Sequence, residues 1–319
     1  MENKLIKDYF RILGGKKENE KEFYILENKK SGRSIIFQKR NKNAIKFMKN
    51  KSSSSIKKLG YLLIRLGVFQ IFLKKVKLDS SIGQLVFYGG QTKIFNFDKK
   101  KVISFIAWNN PREKFVKNKK DQEELSKKDF APKIFKLNKK IPFCEEELLK
   151  GGLNIKKQDI FKKLIKYYES QRKKKISYFS YIQKLERKNL FKKLPKILKE
   201  ELKRIKNKKK KFFYVTNVHG DFGRSQLLLK GKEIVFTDWN LREDLLLADL
   251  FSFFKGSPNI FKGREFWELL NLFPKDVKEN VKDYFFVNQV NLFLSSLIPY
   301  YAMIKQIKGS FLTPKNHSR

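Results

Sequence analysis

Apolar positions fall into two regimes along the chain. In the first half they form short runs of strand length, at residues 22–26, 34–38, 85–88, 93–97 and 102–107, with turn-forming residues between the later ones. The last three predict consecutive strands joined by tight turns. A helix is predicted over 112–127, and extended structure resumes at 129–135 and 141–148. Beyond Gly151-Gly152 the spacing changes to three and four residues, as in Ile160, Leu164, Tyr167 and Tyr168, which predicts helices over 159–170 and 176–205. A strand at 212–215 follows, then helices over 243–254, 264–272 and 275 to about 308.

This layout divides the chain into a sheet-rich part and a helical part, with Gly151-Gly152 as the boundary. The expected organisation is an N-terminal extension over 1–80 with a basic amphipathic segment, a second segment over 81–150 and a helical segment over 151–319. Within the extension, the apolar run 59–73 contains Arg65 and is too short to span a bilayer. Lysines flank it on both sides, so it reads either as a helix packed on the sheet or as a surface-lying segment against anionic head groups.

Charge changes the picture more than composition does. The chain carries 74 Lys+Arg against 32 Asp+Glu, a net charge of +42, with the lysines spread through every segment. Such a surface attracts polyanions, but an even spread reads as compositional bias rather than as a designed patch. The runs 172–175 and 206–211 read as solvated helix ends, and no nucleic-acid-binding motif accompanies them. The aromatics Tyr167, Tyr168, Tyr178, Phe179 and Tyr181 read as core rather than as a base-stacking platform. Cys144 is the only cysteine and the only histidines are His219 and His317, which excludes an intrachain disulfide and a Cys/His zinc site. The first residues lack the apolar centre of a signal peptide, so a soluble, cytoplasmic protein is expected.

Chemistry concentrates between Asn217 and Leu250. Asp221 stands on a loop, Gln226 follows five residues later, and Asp238 comes twelve after that. Residues 226–229 and 233–237 read as strands joined by Lys230-Gly231-Lys232, a hairpin. A hairpin brings its open ends together, so Gln226 and Asp238 should be neighbours, with Asp221 on the loop leading in. A single aspartate of this kind reads as a turn cap. The combination suits phosphoryl transfer, in which a base takes the proton of an attacking hydroxyl while a carboxylate and an amide share a metal. Here the charge balance also reverses, with Asp221, Glu233, Asp238, Glu243, Asp244 and Asp249 against Arg224, Lys230, Lys232 and Arg242.

His219-Gly220-Asp221, the amide at position 226, Asp238-Trp239 and Ala248-Asp249-Leu250-Phe251 together resemble the aminoglycoside phosphotransferase and choline kinase group of small-molecule kinases. The resemblance implies an α+β, protein-kinase-like two-lobed fold, with an antiparallel-sheet N-lobe that binds nucleotide and a mostly helical C-lobe. It also implies ATP and Mg2+ as cofactors, Asp221 as catalytic base, Asp238 with Gln226 as metal ligands, and His219 and Asp249 as supports of the catalytic loop. The Asp-Trp and Asp-Leu-Phe forms are similar to members linked to surface polysaccharide and lipopolysaccharide synthesis. In such a fold Gly89, Gly90 and Gln91 fall where a loop covers the nucleotide phosphates, although Gly-Gly is also an ordinary hairpin turn.

Three positions depart from the family pattern. Gln226 replaces an asparagine, the strand 102–108 lacks the expected lysine, and the following helix has no glutamate near Asn118-Lys119. Lys101 and Lys114 flank that strand as candidates to replace its lysine, and Asp121, Glu123 and Glu124 lie a turn further on. Two functions therefore stand: a phosphotransferase acting on a hydroxyl of a small molecule or glycan precursor, and a non-catalytic kinase-like protein that binds an anionic partner. Peripheral contact with an anionic membrane fits either. No specific nucleic acid is expected as a partner.

Overall fold

The structure, a computed structural model, describes residues 20–28, 33–51, 55–65, 73–88, 91–106, 112–139, 143–151, 155–254, 260–299, 302–305 and 307. It is an α+β protein of two compact units. One comprises Met1–Leu153 with Ser225–Trp239, and the other Asn154–Arg224 with Asn240–Arg319.

The first unit is built on an eight-stranded antiparallel sheet. Its strands are β1 (Glu20–Asn28), β2 (Arg33–Gln38), β3 (Lys74–Asp79), β4 (Leu85–Tyr88), β5 (Gln91–Asn96), β6 (Lys101–Ile106), β7 (Ile134–Asn138) and β8 (Phe143–Glu147), in the order β3-β1-β2-β4-β5-β6-β8-β7. Strand residues alternate between two cores. Phe23, Ile25, Ile36, Val86, Ile94 and Phe105 pack together on one, while Tyr24, Phe37, Leu85, Phe95 and Val102 join the other with Ala44, Ile45, Met48 and Ile64. The last four lie on helices α1 (Lys42–Lys51) and α2 (Ser55–Arg65). With both faces covered, the strands are apolar at consecutive positions instead of alternating with polar ones. The segment before residue 80 thus supplies three strands of the same sheet. Residues 66–72 of the apolar run 59–73 lie outside the described residues.

Helix α3 (Arg112–Ser126) carries a buried ammonium. Lys119 Nζ lies 2.8 Å from Glu146 Oε2 on β8, and Gln122 Nε2 donates to the same oxygen at 2.7 Å. Ser104 Oγ of β6 donates to Glu146 Oε1 at 3.1 Å. Burial alone would raise the Glu146 carboxyl, but Lys119, Lys93 and the hydrogen bonds outweigh it and hold it below the usual carboxylate range. The same pairing outweighs burial at Lys119 and holds its ammonium above the ordinary lysine value.

The second unit is mostly helical. It contains α4 (Lys157–Glu169), α5 (Tyr178–Glu186), α6 (Lys196–Lys206), α7 (Ala248–Phe253), α8 (Arg264–Leu270), α9 (Lys275–Glu279) and α10 (Val281–Leu294) around a small sheet. The single helix expected over 176–205 is two, because Pro195 cannot continue a helix and instead stands at the start of α6, while Ser177 caps α5 by accepting from Ser180 N–H at 3.1 Å. Tyr167, Tyr168, Tyr178 and Tyr181 are core, with Tyr178 stacked on Phe213 at 3.9 Å; Phe179 differs and stays 52% exposed. The helix expected from 243 begins only at Ala248, since Arg242–Leu245 pair with Phe212–Val218 as a strand. In that strand Asp244 caps no helix: buried, it accepts from Arg242 Nε at 3.0 Å and Asn291 Nδ2 at 3.2 Å. The long terminal helix expected from 275 is broken at Asn280 and stops at Leu294. No helix among the described residues is long and apolar enough to cross a membrane.

Glu146→Gln removes the counter-charge of a buried ammonium and should cost about 3–5 kcal/mol, whereas replacing both partners by Met and Leu should cost less. Urea unfolding of the three chains checks this. The Glu146 share of stability should be complete above the ordinary carboxylate range and lost as pH falls through its lowered folded value; the Lys119 share is lost only as pH rises through a raised value.

Candidate active site

In the first unit, the strands Leu227–Lys230 and Glu233–Phe236 pair from Leu227↔Phe236 to Lys230↔Glu233, and Gly231 turns between them at φ +64°. Thr237 N–H then donates to the Gln226 carbonyl at 2.9 Å, closing the open end. The hairpin therefore brings Gln226 and Asp238 together from positions twelve residues apart in sequence. Asp238 adopts φ +61°, a conformation that costs energy in a non-glycine residue and often marks functional sites. Trp239 anchors the turn beyond it, its Nε1 donating to the Phe236 carbonyl at 2.7 Å.

Asp238 Oδ1 accepts from Lys93 Nζ, an ion pair in which Lys93 is only 18% exposed. Lys93 stands on β5, and its Cα partner across the sheet is Ser104 on β6. Lys101, considered above for this neighbourhood, instead pairs with Glu145 at 3.1 Å. Gly89 and Gly90 lie outside the described residues; Gln91 opens β5. Lys93 was not singled out from the sequence.

The second unit holds the catalytic-loop candidate. The strand Phe212–Val218 delivers His219, which is buried, and Gly220 at φ +90°. Asp249, buried at the start of α7, accepts from His219 N–H at 2.7 Å, Gly220 N–H at 3.1 Å and the Tyr168 hydroxyl at 2.8 Å. The Asp249 side chain thus ties three segments of chain to one carboxylate. Arg242 Nη1 adds a bond to the Gly220 carbonyl at 2.8 Å. Burial and the Asp249 carboxylate push the Tyr168 phenol well above its ordinary value, so it stays a hydrogen-bond donor.

Asp221 follows this tied loop and is exposed. It lines a cleft of about 330 Å³ in the second unit, together with Asn240, Phe251, Phe285, Asn288 and Gln289. Asn288 and Gln289 are 1% and 4% exposed, and their side-chain oxygens find no hydrogen-bond partner among the described residues. Among the described residues lining this cleft, Asp221 is the one carboxylate.

The oxygen donors at the hairpin end fit a hard divalent cation. Magnesium keeps several waters and needs only one or two protein ligands beside substrate phosphates, so the Asp238 carboxylate and the Gln226 amide oxygen are a sufficient set. No cluster of three or more His, Cys, Asp or Glu side chains suited to a metal exists among the described residues.

Gly220 has no room for a side chain, because a Cβ there would lie 2.3 Å from the Asn240 carbonyl oxygen. Together with the positive φ, this makes Gly220→Ala destabilising by about 1–3 kcal/mol. The measurement is the thermal midpoint, alongside hydrogen exchange of the His219 and Gly220 amides.

No family model and no curated protein matches this chain. Solved structures similar to it include choline kinase LicA from Streptococcus pneumoniae, at 13% identity and TM-score 0.48, covering 80% of this chain and 98% of that one. The Plasmodium vivax ethanolamine kinase matches at 15% identity and TM-score 0.41, over 85% and 94% of the two chains. An aminoglycoside phosphotransferase, APH(4)-Ia, solved with AMP-PNP and hygromycin B, matches at 12% identity and TM-score 0.42, over 70% and 90%. These neighbours belong to the choline and ethanolamine kinases and the aminoglycoside phosphotransferases, the group that the residues from His219 to Phe251 resemble.

Proposed function

We propose that this protein is an ATP- and magnesium-dependent phosphotransferase acting on a hydroxyl of a small molecule or glycan precursor. The observation that carries the reading is the open end of one hairpin, where Thr237 N–H bonds the Gln226 carbonyl and Asp238 follows directly, in a chain whose other loop presents Asp221 at a cleft. Asp238 and Gln226 would hold magnesium, which when bound neutralises charge on the transferred phosphoryl group. The Asp221 carboxylate would accept the proton of the acceptor hydroxyl, with Asp249 keeping its loop in place. Gly89, Gly90 and Gln91 are proposed to lie along the phosphates.

The cleft lining supports a neutral acceptor. Asn240, Asn288 and Gln289 offer amides suited to hydroxyl groups, and Phe251 and Phe285 offer an apolar wall. A strongly cationic acceptor would meet one carboxylate, Asp221, and also the Arg242 guanidinium. Sugar-like hydroxyls on a ring with one apolar face suit this chemistry better. Such a kinase would act in the cytoplasm, where ATP is supplied, and its basic surface would favour peripheral contact with an anionic membrane.

Thermal unfolding with ATP, with magnesium and with both tests the nucleotide site, because a ligand specific to the folded state raises the midpoint. The expected shift needs both, survives Asp221→Asn and is lost in Asp238→Ala. Turnover with a responsive acceptor should fall by about 10²–10⁴-fold in Asp221→Asn. Absence of any shift at millimolar nucleotide would sink the proposal and leave the non-catalytic, anion-binding reading.

A further inference from the structure

Four charges form one group in the first unit. Lys93 pairs with Asp238, and Lys119 pairs with Glu146 at 2.8 Å. The two pairs differ in kind. Glu146 has both oxygens engaged, by Ser104, Lys119 and Gln122, and both members of its pair are at most 5% exposed. The pair is closed and structural. Asp238 is 36% exposed, its backbone is strained, and its partner Lys93 reaches it from a strand 145 residues upstream. That pair is open to exchange.

We propose that Lys93 is a resident counter-ion of Asp238 that makes metal and nucleotide binding mutually dependent. The proposal rests on reading Asp238 as the metal ligand. In the free protein the ammonium neutralises the carboxylate. A divalent cation arriving alone must compete with Lys93 for Asp238 and then sits beside a displaced positive charge. A cation arriving with a nucleotide brings phosphate oxygens that accept the released ammonium. Lys93 thus opposes the bare metal and favours the metal–nucleotide pair, which is a coupling between two ligands at one site. The sheet register supports this placement. Lys93 faces Ser104 on β6, and cross-strand partners present their side chains on the same face. The β5 lysine therefore puts its charge on the face where Ser104, which carries none, meets Glu146.

The test is a titration of the full chain with Mn2+, followed by electron paramagnetic resonance, with and without AMP-PNP. The wild type is compared with Lys93→Met and Lys93→Arg. Lys93→Met should bind Mn2+ alone more tightly and Mn2+ with AMP-PNP more weakly, each by about tenfold, within the usual range of coupling. Lys93→Arg keeps the charge and should behave like the wild type, which separates a charge effect from damage to the fold. Equal affinity of wild type and Lys93→Met for Mn2+ alone overturns the inference while leaving the proposed function intact. If the wild type binds Mn2+ neither alone nor with AMP-PNP, the metal-site reading fails and the inference fails with it.

Discussion

The register of the hairpin between Leu227 and Phe236 is the constraint on which the candidate chemistry depends. Four residue pairs and the Thr237 to Gln226 backbone bond set the two ends side by side. A slip of one residue would turn every side chain of one strand to the opposite face, and Asp238 would no longer follow the strand at the level of Gln226. Buried residues oppose that slip: Leu227, Ile234, Val235 and Phe236 all lie in the core. Apolar packing thereby fixes the position of a polar pair that takes no part in it.

Two buried carboxylates organise their surroundings by a shared logic. Glu146 collects Lys119, Gln122 and Ser104; Asp249 collects two backbone N–H groups and a tyrosine hydroxyl. A charge removed from water is tolerated only when its lone pairs are satisfied, so each carboxylate imposes order on every donor around it. The first joins strand to helix. The second holds the loop that leads to Asp221, whose own exposure suits a group that must meet a substrate.

Local signals were readable in the chain wherever the physics is local. The hairpin follows from Lys230-Gly231-Lys232 between apolar runs, and the strands at β4, β5 and β6 follow from apolar runs between turn residues. Residues 243–245 read as the start of a helix because their acidic and apolar mix suits one. Pairing with the strand Phe212–Val218 and the burial of Asp244 against Arg242 and Asn291 override that preference. The break at Pro195 was visible in the sequence, and the spacing of apolar residues on either side of it masked its effect.

By itself, the sequence determined an α+β chain with a sheet-rich first part and a helical second part, and it brought Gln226 next to Asp238 through a short hairpin. Tertiary structure decided which lysines matter. Among 74 basic residues, nothing in its own sequence neighbourhood separates Lys93 or Lys119 from a solvated lysine. Their partners are 145 and 27 residues away and meet them only after the strands have paired. Periodicity and turn chemistry act over a few residues, whereas the choice of partner for a charge is made by whatever the folded chain places beside it.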